Sequence, residues 1–380
     1  MGKVKEFVKY GVIYYTTISP DGESYAVILE NYTNDTRILV KDWEQIAEYS
    51  NIYCFKYSPD WKWYIYEAIK DWLNIIIKDW KEIKWYDEAF NFKYSPDWKS
   101  YAFLAKKDWK SILVKNWEEI TDYEKYINYF FSPDWKHFVF IGEKDWKNVL
   151  VKNNKEIVKY DTIWNVTFSF DSNKLAFAAS KDGEQFVVIN WEEKEKFKTI
   201  WDVFFSKNLD NYFFTVSDRK GKKSFVNWEE IKWYYEREIK HFNFSPDWKD
   251  YFFVCEKFWR EYLIKNGEEL YVYDNIIDIK YSPDGQGFVL IKQTLDWEEK
   301  VLCIKDWEEI WEYKNIKFLN YLSDWKWIVY VACQDWKEFV VKNWEEDKNK
   351  YDEIHNLTVL PDNTVVFIAE KDYKIFLEKI

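Results

Sequence analysis

Few residues in this chain are of the types that catalyse reactions or bind metal ions. It has only three histidines, His137, His241 and His355, and its four cysteines show no CxxC spacing. No HExxH, GxSxG or phosphate-binding-loop motif occurs. The histidines are far apart in the sequence, so a shared metal site would need the fold to bring them together. We therefore expect no metal, no cofactor and no catalytic residues, and we predict that the protein is not an enzyme.

Acidic residues recur directly after a tyrosine, at Asp87, Asp161, Asp274 and Asp352. A rim of carboxylates attracts a basic peptide or cations, and we predict these four as the binding residues. Aspartate is also a common turn residue, whose carboxylate accepts hydrogen bonds from the nearby backbone. Both interpretations stay open from the sequence.

The elements that carry these residues belong to an internal repeat. The phrase Ser-Pro-Asp recurs with degenerate copies every 37 to 40 residues, and the copies begin at Ser19, Ser58, Ser95, Ser132, Ser169, Ser206, Ser245, Ser282, Leu322 and Leu360. Internal repeats at such a period indicate solenoids or propellers. Ten copies at a near-constant spacing leave no room for a linker or a second domain.

Each repeat is predicted to form four short strands. In the first strand, large apolar residues recur at every second position up to the turn, as at Phe90, Phe92 and Tyr94, or Ile127, Tyr129 and Phe131. A second strand, a short apolar third strand and a fourth strand with an aliphatic residue and a tyrosine three positions later complete the unit. Four antiparallel strands repeated radially are typical of an all-β propeller. On this pattern His241 and His355 fall between fourth and first strands.

The chain ends predict how the propeller closes. Residues 3–10 resemble a fourth strand, with Phe7 and Tyr10 in the places of Ile157 and Tyr160, and the last repeat lacks its fourth strand. Pairing the two would protect an exposed sheet edge. The fold class is therefore predicted as one closed β-propeller domain, residues 1–380, of ten four-stranded blades. Two five-bladed rings and an open solenoid are the alternatives.

The repeat resembles the TolB-like, or WD40-like, propeller repeat. The residues that carry the resemblance are Tyr281-Ser282-Pro283-Asp284-Gly285 and Lys181-Asp182-Gly183. The resemblance covers the whole chain and implies the propeller fold. It does not imply one function, because such propellers serve as scaffolds, ligand-binding modules and gates.

Tryptophan occupies many turn positions where this repeat has glycine. Gly22, Gly285, Gly183, Gly221 and Gly267 alternate with Trp61, Trp98, Trp135, Trp248 and Trp325 in the first turn, Trp72, Trp109, Trp146, Trp259, Trp297 and Trp336 in the second, and Trp43, Trp80, Trp117, Trp191, Trp228, Trp307 and Trp344 in the third. Tight hairpins need positive φ there, which costs a bulky residue about 1–2 kcal/mol.

A single codon with two readings would account for an exchange that involves only tryptophan and glycine. UGA is read as tryptophan in some genetic codes and as glycine in some AT-rich bacterial lineages, so we hypothesise UGA codons for glycine that are written as tryptophan. The preference for residues with AT-rich codons agrees with a bacterial origin of this kind. An aromatic belt that stacks on sugars or peptides is the alternative. In either case we expect exposed tryptophans on strained turns.

The net charge and the hydropathy of the chain limit the kinds of partner that we expect. The net charge of −12 argues against a nucleic-acid partner, and no run of 18 apolar residues predicts a membrane span. We expect a non-catalytic scaffold that binds a protein, a peptide or a small ligand at the channel face. The alternative is a propeller hydrolase or lyase using channel carboxylates. A cytoplasmic location is favoured, and a periplasmic or exported one stays open.

Overall fold

The structure is a computed structural model of the chain. It describes all residues except 1–6, 9–11, 59, 61, 80, 98, 207, 219–220, 228, 232–238, 248, 286, 295–299, 306–307 and 324–326. Throughout the described part every regular element is a β-strand, and no helix there could cross a membrane. The chain divides into two compact units, Met1–Lys84 with Glu236–Ile380, and Trp85–Tyr235.

The N-terminal part of the first unit has nine strands. They are β1 (Phe7–Val8), β2 (Val12–Ile18), β3 (Tyr25–Asn31), β4 (Thr36–Lys41), β5 (Glu44–Tyr49), β6 (Asn51–Tyr57), β7 (Tyr64–Lys70), β8 (Leu73–Lys78) and β9 (Lys81–Tyr86), the last of which ends just past the unit boundary.

The second unit follows with sixteen strands. They are β10 (Glu88–Tyr94), β11 (Tyr101–Lys107), β12 (Lys110–Lys115), β13 (Glu118–Ile120), β14 (Lys125–Phe131), β15 (Phe138–Lys144), β16 (Lys147–Lys152), β17 (Lys155–Tyr160), β18 (Thr162–Phe168), β19 (Leu175–Lys181), β20 (Glu184–Ile189), β21 (Glu192–Phe197), β22 (Ile200–Phe205), β23 (Tyr212–Asp218), β24 (Gly221–Val226) and β25 (Glu229–Glu230).

The C-terminal part of the first unit has the remaining fifteen. They are β26 (Ile239–Phe244), β27 (Tyr251–Lys257), β28 (Arg260–Lys265), β29 (Glu268–Tyr273), β30 (Asn275–Tyr281), β31 (Phe288–Thr294), β32 (Lys300–Lys305), β33 (Glu308–Tyr313), β34 (Asn315–Tyr321), β35 (Ile328–Gln334), β36 (Lys337–Lys342), β37 (Glu345–Glu346), β38 (Glu353–Val359), β39 (Val365–Lys371) and β40 (Lys374–Lys379).

Antiparallel pairing of the described strands gives four-stranded sheets in chain order. Sheets 1 to 9 each take four consecutive strands, from β2–β5 to β34–β37. Sheet 10 joins β38–β40 to β1, with Phe7 opposite Ile375 and Val8 opposite Lys374. The rest of the fourth strand predicted over residues 3–10 lies outside the described residues. The prediction of an all-β propeller is confirmed, whereas one closed ring of ten blades stays a prediction.

The core lies between neighbouring sheets. Apolar side chains of β15 and β16 pack with those of the next sheet, where Phe177 and Phe186 are fully buried. In the first unit, Val366 and Ile368 of sheet 10 pack with Val27 and Leu29 of sheet 1. A four-stranded sheet cannot bury both faces alone, so each sheet depends on its neighbours for stability.

The Ser-Pro-Asp turn is held by its own side chains. Buried Ser132 donates a hydrogen bond from Oγ to Asp134 Oδ1 (2.6 Å) and accepts one from the His137 amide (2.9 Å). The same Ser-to-Asp bond recurs in other copies, including Ser58 to Asp60 (2.8 Å). These side-chain bonds fix the conformation of the turn between the first and second strands.

The hairpin turns do require positive φ. The second turn of sheet 3 has φ of 51° at Asp108 and 65° at Trp109, the two-residue type I′ geometry, and Asp182 and Gly183 form the equivalent turn with 55° and 81°. Every turn tryptophan in the described part has positive φ: Trp43, Trp72, Trp109, Trp117, Trp135, Trp146, Trp191, Trp259, Trp336 and Trp344.

The exposure of these tryptophans depends on the turn. Those of the second turn project into solvent, and Trp109 is 97% exposed. Those of the third turn are partly covered, since Trp117 packs edge-on against Tyr101 with ring centroids 4.9 Å apart. The prediction that these tryptophans are exposed on strained turns is therefore confirmed for the second turn and only in part for the third.

Each first strand contains a β-bulge that the sequence pattern did not predict. The register between β10 and β11 shifts between Phe90 and Lys93, and Asn91 has a φ of 58°. The bulge reverses the alternation, because an extra residue turns the following side chains to the other face. Phe90 is consequently 43% exposed and Phe92 only 4%, whereas the sequence pattern placed both on one face.

The bulge region also corrects the placement of two histidines. His241 (φ 51°) lies within β26 and His355 within β38, not between fourth and first strands as predicted. His137 follows the first turn of sheet 4, and its Nδ1 lies 3.0 Å from Asn153 Nδ2.

A tyrosine–glutamate hydrogen bond links successive sheets. Tyr160 donates from its hydroxyl to Glu193, 33 residues later, at 3.0 Å, and Tyr313 donates to Glu346 at the same distance. The tyrosine ends a fourth strand, and the glutamate lies at the start of the fourth strand in the following sheet. These bonds supplement apolar packing between neighbours.

Candidate functional site

The four predicted binding aspartates lie at the connections between sheets, and three of them hold the backbone of the next second turn. Asp161 Oδ2 accepts a hydrogen bond from the Asp182 amide (2.8 Å), and Asp352 Oδ2 accepts one from the Asp372 amide (2.7 Å). Asp87 accepts one from the Trp109 amide (3.3 Å). Asp274 lies at the same connection, between β29 and β30.

Lysines neutralise two of these carboxylates. Lys147 Nζ lies 3.1 Å from Asp161 Oδ1, and Lys337 contacts Asp352. The hydrogen bonds from these lysines, aided by the turn amides, hold the pKa of both carboxyl groups below the ordinary value. Their binding of an external ligand stays a prediction. In each unit the two aspartates belong to connections two sheets apart, so they do not form one cluster.

A second candidate surface lies on the first strands, and the sequence pattern missed it. In the second unit, three of the four first strands carry a large, apolar and exposed side chain at the equivalent position: Phe90, Ile127 and Trp201, the last of which is 54% exposed. The equivalent residue of β18, Trp164, is half-buried. We call the exposed side chains of Phe90, Ile127 and Trp201 the first-strand surface. First strands of successive sheets contact each other, as β18 and β22 do. In propellers these strands surround the central channel.

The first unit has this arrangement only in part, because Lys317 and His355 occupy the corresponding positions of β34 and β38. Tyr14 and Ile277 are the exposed counterparts, and Phe318 lies one residue beyond the corresponding position in β34. The guanidinium carbon of Arg37 lies 3.3 Å from the centroid of the Tyr14 ring, and Nη2 lies 3.2 Å from Glu30 Oε1. Aromatic residues and arginine are the types enriched at protein interfaces, so this surface can bind an apolar or aromatic partner segment.

Titratable groups gather between sheets 9 and 10 of the first unit. His355 Nε2 lies 3.4 Å from Glu370 Oε2, and its Nδ1 lies 3.6 Å from Glu353 Oε1. Lys317 Nζ lies 2.8 Å from Glu338 Oε2. Burial lowers the pKa of His355 although both glutamates favour its charged form. A neutral imidazole beside two carboxylates can accept and pass on a proton.

A metal site would need several His, Cys, Asp or Glu side chains placed around one point. Among the described residues no three His, Cys, Asp or Glu side chains are placed to share a metal ion. Cys255 is buried, and its thiol donates a hydrogen bond to the Tyr262 carbonyl oxygen at 3.9 Å, whereas Cys333 is half-buried.

The architecture defines the class of protein, a β-propeller, and comparisons with solved structures agree with it. The crystal structure of "the eukaryotic initiation factor" matches with a TM-score of 0.52 and 9% identity, over 97% of this chain and 90% of that one. The Dos1 propeller is similar with a TM-score of 0.40 and 9% identity, over 98% of this chain and 94% of that one. TolB from Acinetobacter baumannii is similar with a TM-score of 0.29 and 16% identity, over 70% of this chain and 63% of that one. No family model and no curated protein sequence matches the chain.

Proposed function

We propose that this protein is a non-catalytic propeller scaffold that binds a protein or peptide segment at the channel face, along the first-strand surface. The observation that carries the proposal is the repeated exposure of large apolar side chains at equivalent first-strand positions. Contiguous exposed apolar surface marks interaction sites in soluble proteins. The four connection aspartates lie at the ends of these strands, and we propose that they favour a partner with basic residues beside its apolar ones.

Peptides selected from a phage-displayed library test this proposal. Peptides selected on the wild-type protein from a random phage-displayed library are expected to be rich in apolar residues. Their affinity should fall about tenfold or more in the variant Phe90→Ser/Ile127→Ser/Trp201→Ser, because exposed aromatic anchors contribute about 1–2 kcal/mol or more each at interfaces. Fluorescence anisotropy of the labelled peptides measures the change.

The matched control removes as much aromatic surface from the second turns. The variant Trp72→Ser/Trp109→Ser/Trp146→Ser should bind the selected peptides as the wild type does. Equal losses in both variants, or no loss in the first-strand variant, would contradict the proposed surface.

The alternative function, a hydrolase or lyase using channel carboxylates, is favoured by one observation. It is the cluster of His355, Glu370, Glu353, Lys317 and Glu338. Turnover in a panel of ester, peptide and glycoside substrates that disappears in His355→Gln would replace the scaffold proposal with this one. Without such turnover, the cluster serves as a partly buried network of charged groups.

We also propose that the sheets form one closed ring of ten blades. The support is the uniform repeat and the pairing of β1 with β40, which places both chain ends in sheet 10. Removal of residues 1–10 would expose the edge of β40 and is expected to lower the melting temperature. An unchanged melting temperature, or small-angle scattering that fits two separate rings, would contradict the closed ring.

We propose further that the native polypeptide carries glycine at the turn tryptophans. The support is their positive φ and the glycines that occupy the same turns elsewhere. At Gly22 a β-carbon would lie 2.8 Å from Val366 Cγ2 and 2.9 Å from Leu360 Cδ1, so a side chain in this turn would require these neighbouring side chains to shift. TGG codons at Trp61, Trp98 and Trp135, or tryptophan at these positions in a mass spectrum of the native protein, would refute the proposal.

A further inference from the structure

A cavity of about 410 Å³ lies in the second unit between sheets 3 and 4. It is separate from the first-strand surface, because its lining comes from the third turn and fourth strand of sheet 3 and from β15 and β16 of sheet 4. Its volume falls within the range of about 300–1,000 Å³ that is usual for small-ligand sites.

The cavity lies beside a short fourth strand. The fourth strand β13 has three residues, whereas its counterpart β17 has six, and the chain leaves the sheet after Ile120. Tyr123 still reaches its repeated position and donates to Glu156 (3.0 Å). It fits because of Gly142, where a β-carbon would lie 2.5 Å from Tyr123 Cγ. Other sheets carry larger residues there, such as Ala105 and Ala179.

The lining combines aromatic rings with carboxylates. Tyr123 and Phe140 line the cavity and contact each other edge-to-face, with ring centroids 5.5 Å apart. Glu118 and Asp122 are exposed at its mouth, and Glu119 is paired with Lys107 at 3.3 Å. The Lys115 ammonium lies 4.7 Å from the centroid of Phe138, and the lining as a whole is negative.

We infer that this cavity binds an alkylammonium group, either a free polyamine or the side chain of a lysine. The carboxylates attract the ammonium, and aromatic faces bind cations through their quadrupole. The apolar walls, Ile120 and Val151, accommodate the alkyl stem, as protein surfaces do for the stems of lysine side chains. The strongly negative chain as a whole raises the local concentration of cations.

Calorimetric titration of the full chain at low salt tests the inference with two probes. Cadaverine represents the free amine, and Nα-acetyl-lysine methylamide represents the peptide side chain. Binding of either supports an alkylammonium site, and the stronger binder identifies its source. Pentanol, which has the alkyl chain without the charge, should not bind. Failure of both amines to bind, or equal binding of pentanol, would overturn the inference.

Two variants locate the site. Glu118→Gln/Asp122→Asn should weaken amine binding about tenfold, and Thr121→Lys, which supplies a tethered ammonium at an exposed lining position, should abolish it. Glu268→Gln removes a charge from the equivalent exposed position of sheet 7 and should leave binding unchanged. Near-ultraviolet circular dichroism checks that each variant is folded. Equal effects of Glu268→Gln and Glu118→Gln/Asp122→Asn would show non-specific charge attraction and refute the site.

Discussion

Replacement of Trp72, Trp109, Trp146, Trp259 and Trp336 by glycine is expected to stabilise the protein by about 5 kcal/mol, or about 1 kcal/mol for each turn. These side chains are among the most exposed in the described part, so their removal loses few packing contacts. Their φ values of 61° to 67° cost a residue with a β-carbon free energy that glycine does not lose. Urea denaturation measures the gain as a shift of the midpoint.

The control substitutes glycine for a tryptophan that lies in a strand. Trp201 in β22 is exposed but is not among the residues with positive φ. Trp201→Gly should destabilise the protein by about 0.5–1 kcal/mol, because glycine loses more backbone entropy in a strand. Stabilisation by both kinds of substitution would show that backbone strain at the turns is not the cause. The result is independent of the codon test, because it measures only the turn conformation.

Substitution of Glu67 is expected to make stability at neutral and alkaline pH markedly higher. Glu67 is 5% exposed in β7, and in the described part its Oε1 has no hydrogen-bond partner. The equivalent positions in other sheets hold aliphatic residues such as Ile28 and Leu104. Burial raises the pKa of Glu67 to about 7, although the charge of Lys56 opposes the shift.

The sign of the pH dependence follows from this raised pKa. The folded protein retains a proton that the unfolded chain releases at the ordinary value of 4.5. The contribution of Glu67 to stability is therefore fully present below about pH 4.5 and is lost as the pH rises through about 7. Above pH 7 the Glu67→Gln variant should be more stable than the wild type by about 2–3 kcal/mol, and near pH 4 the two should be similar.

Urea denaturation of both proteins between pH 4 and pH 8 provides the measurement. Glu268→Gln removes an exposed carboxylate and should show no such divergence from the wild type. A constant difference between Glu67→Gln and the wild type across this range would mean that folding does not raise the pKa of Glu67, and would contradict the prediction.

Much of the architecture could be predicted because it depends on local signals that recur. Ser132 and Asp134 make the side-chain bonds that their types favour, and the apolar run Ile112-Leu113-Val114 forms the buried third strand β12. The hairpin positions that demand glycine also follow from turn chemistry. Whether the sheets close into one ring depends on pairing between distant segments, which a local pattern does not determine.

The first-strand surface could not be predicted for a definite reason. Strict alternation places Phe90 and Phe92 on one face, and a bulge between them leaves no strong mark in the residue types. Asn91 and Asn165, which have positive φ in the bulge, are the available signal, since asparagine tolerates this conformation. The shortened strand β13 was missed likewise, because Ile120 and Tyr123 keep the spacing of a full fourth strand.

The tyrosine–glutamate bond has a consequence for how such a chain can lengthen. A repeat that has both residues supplies a tyrosine to the sheet that follows and a glutamate to the sheet that precedes, as sheet 4 does with Tyr160 and Glu156. The separation is 33 residues in each of the three bonds, Tyr123–Glu156, Tyr160–Glu193 and Tyr313–Glu346. A tandem duplication of one repeat therefore carries both halves of the contact and joins its neighbours without compensating substitutions. Duplication of a repeat of this kind can change the number of repeats while the new junctions keep this bond.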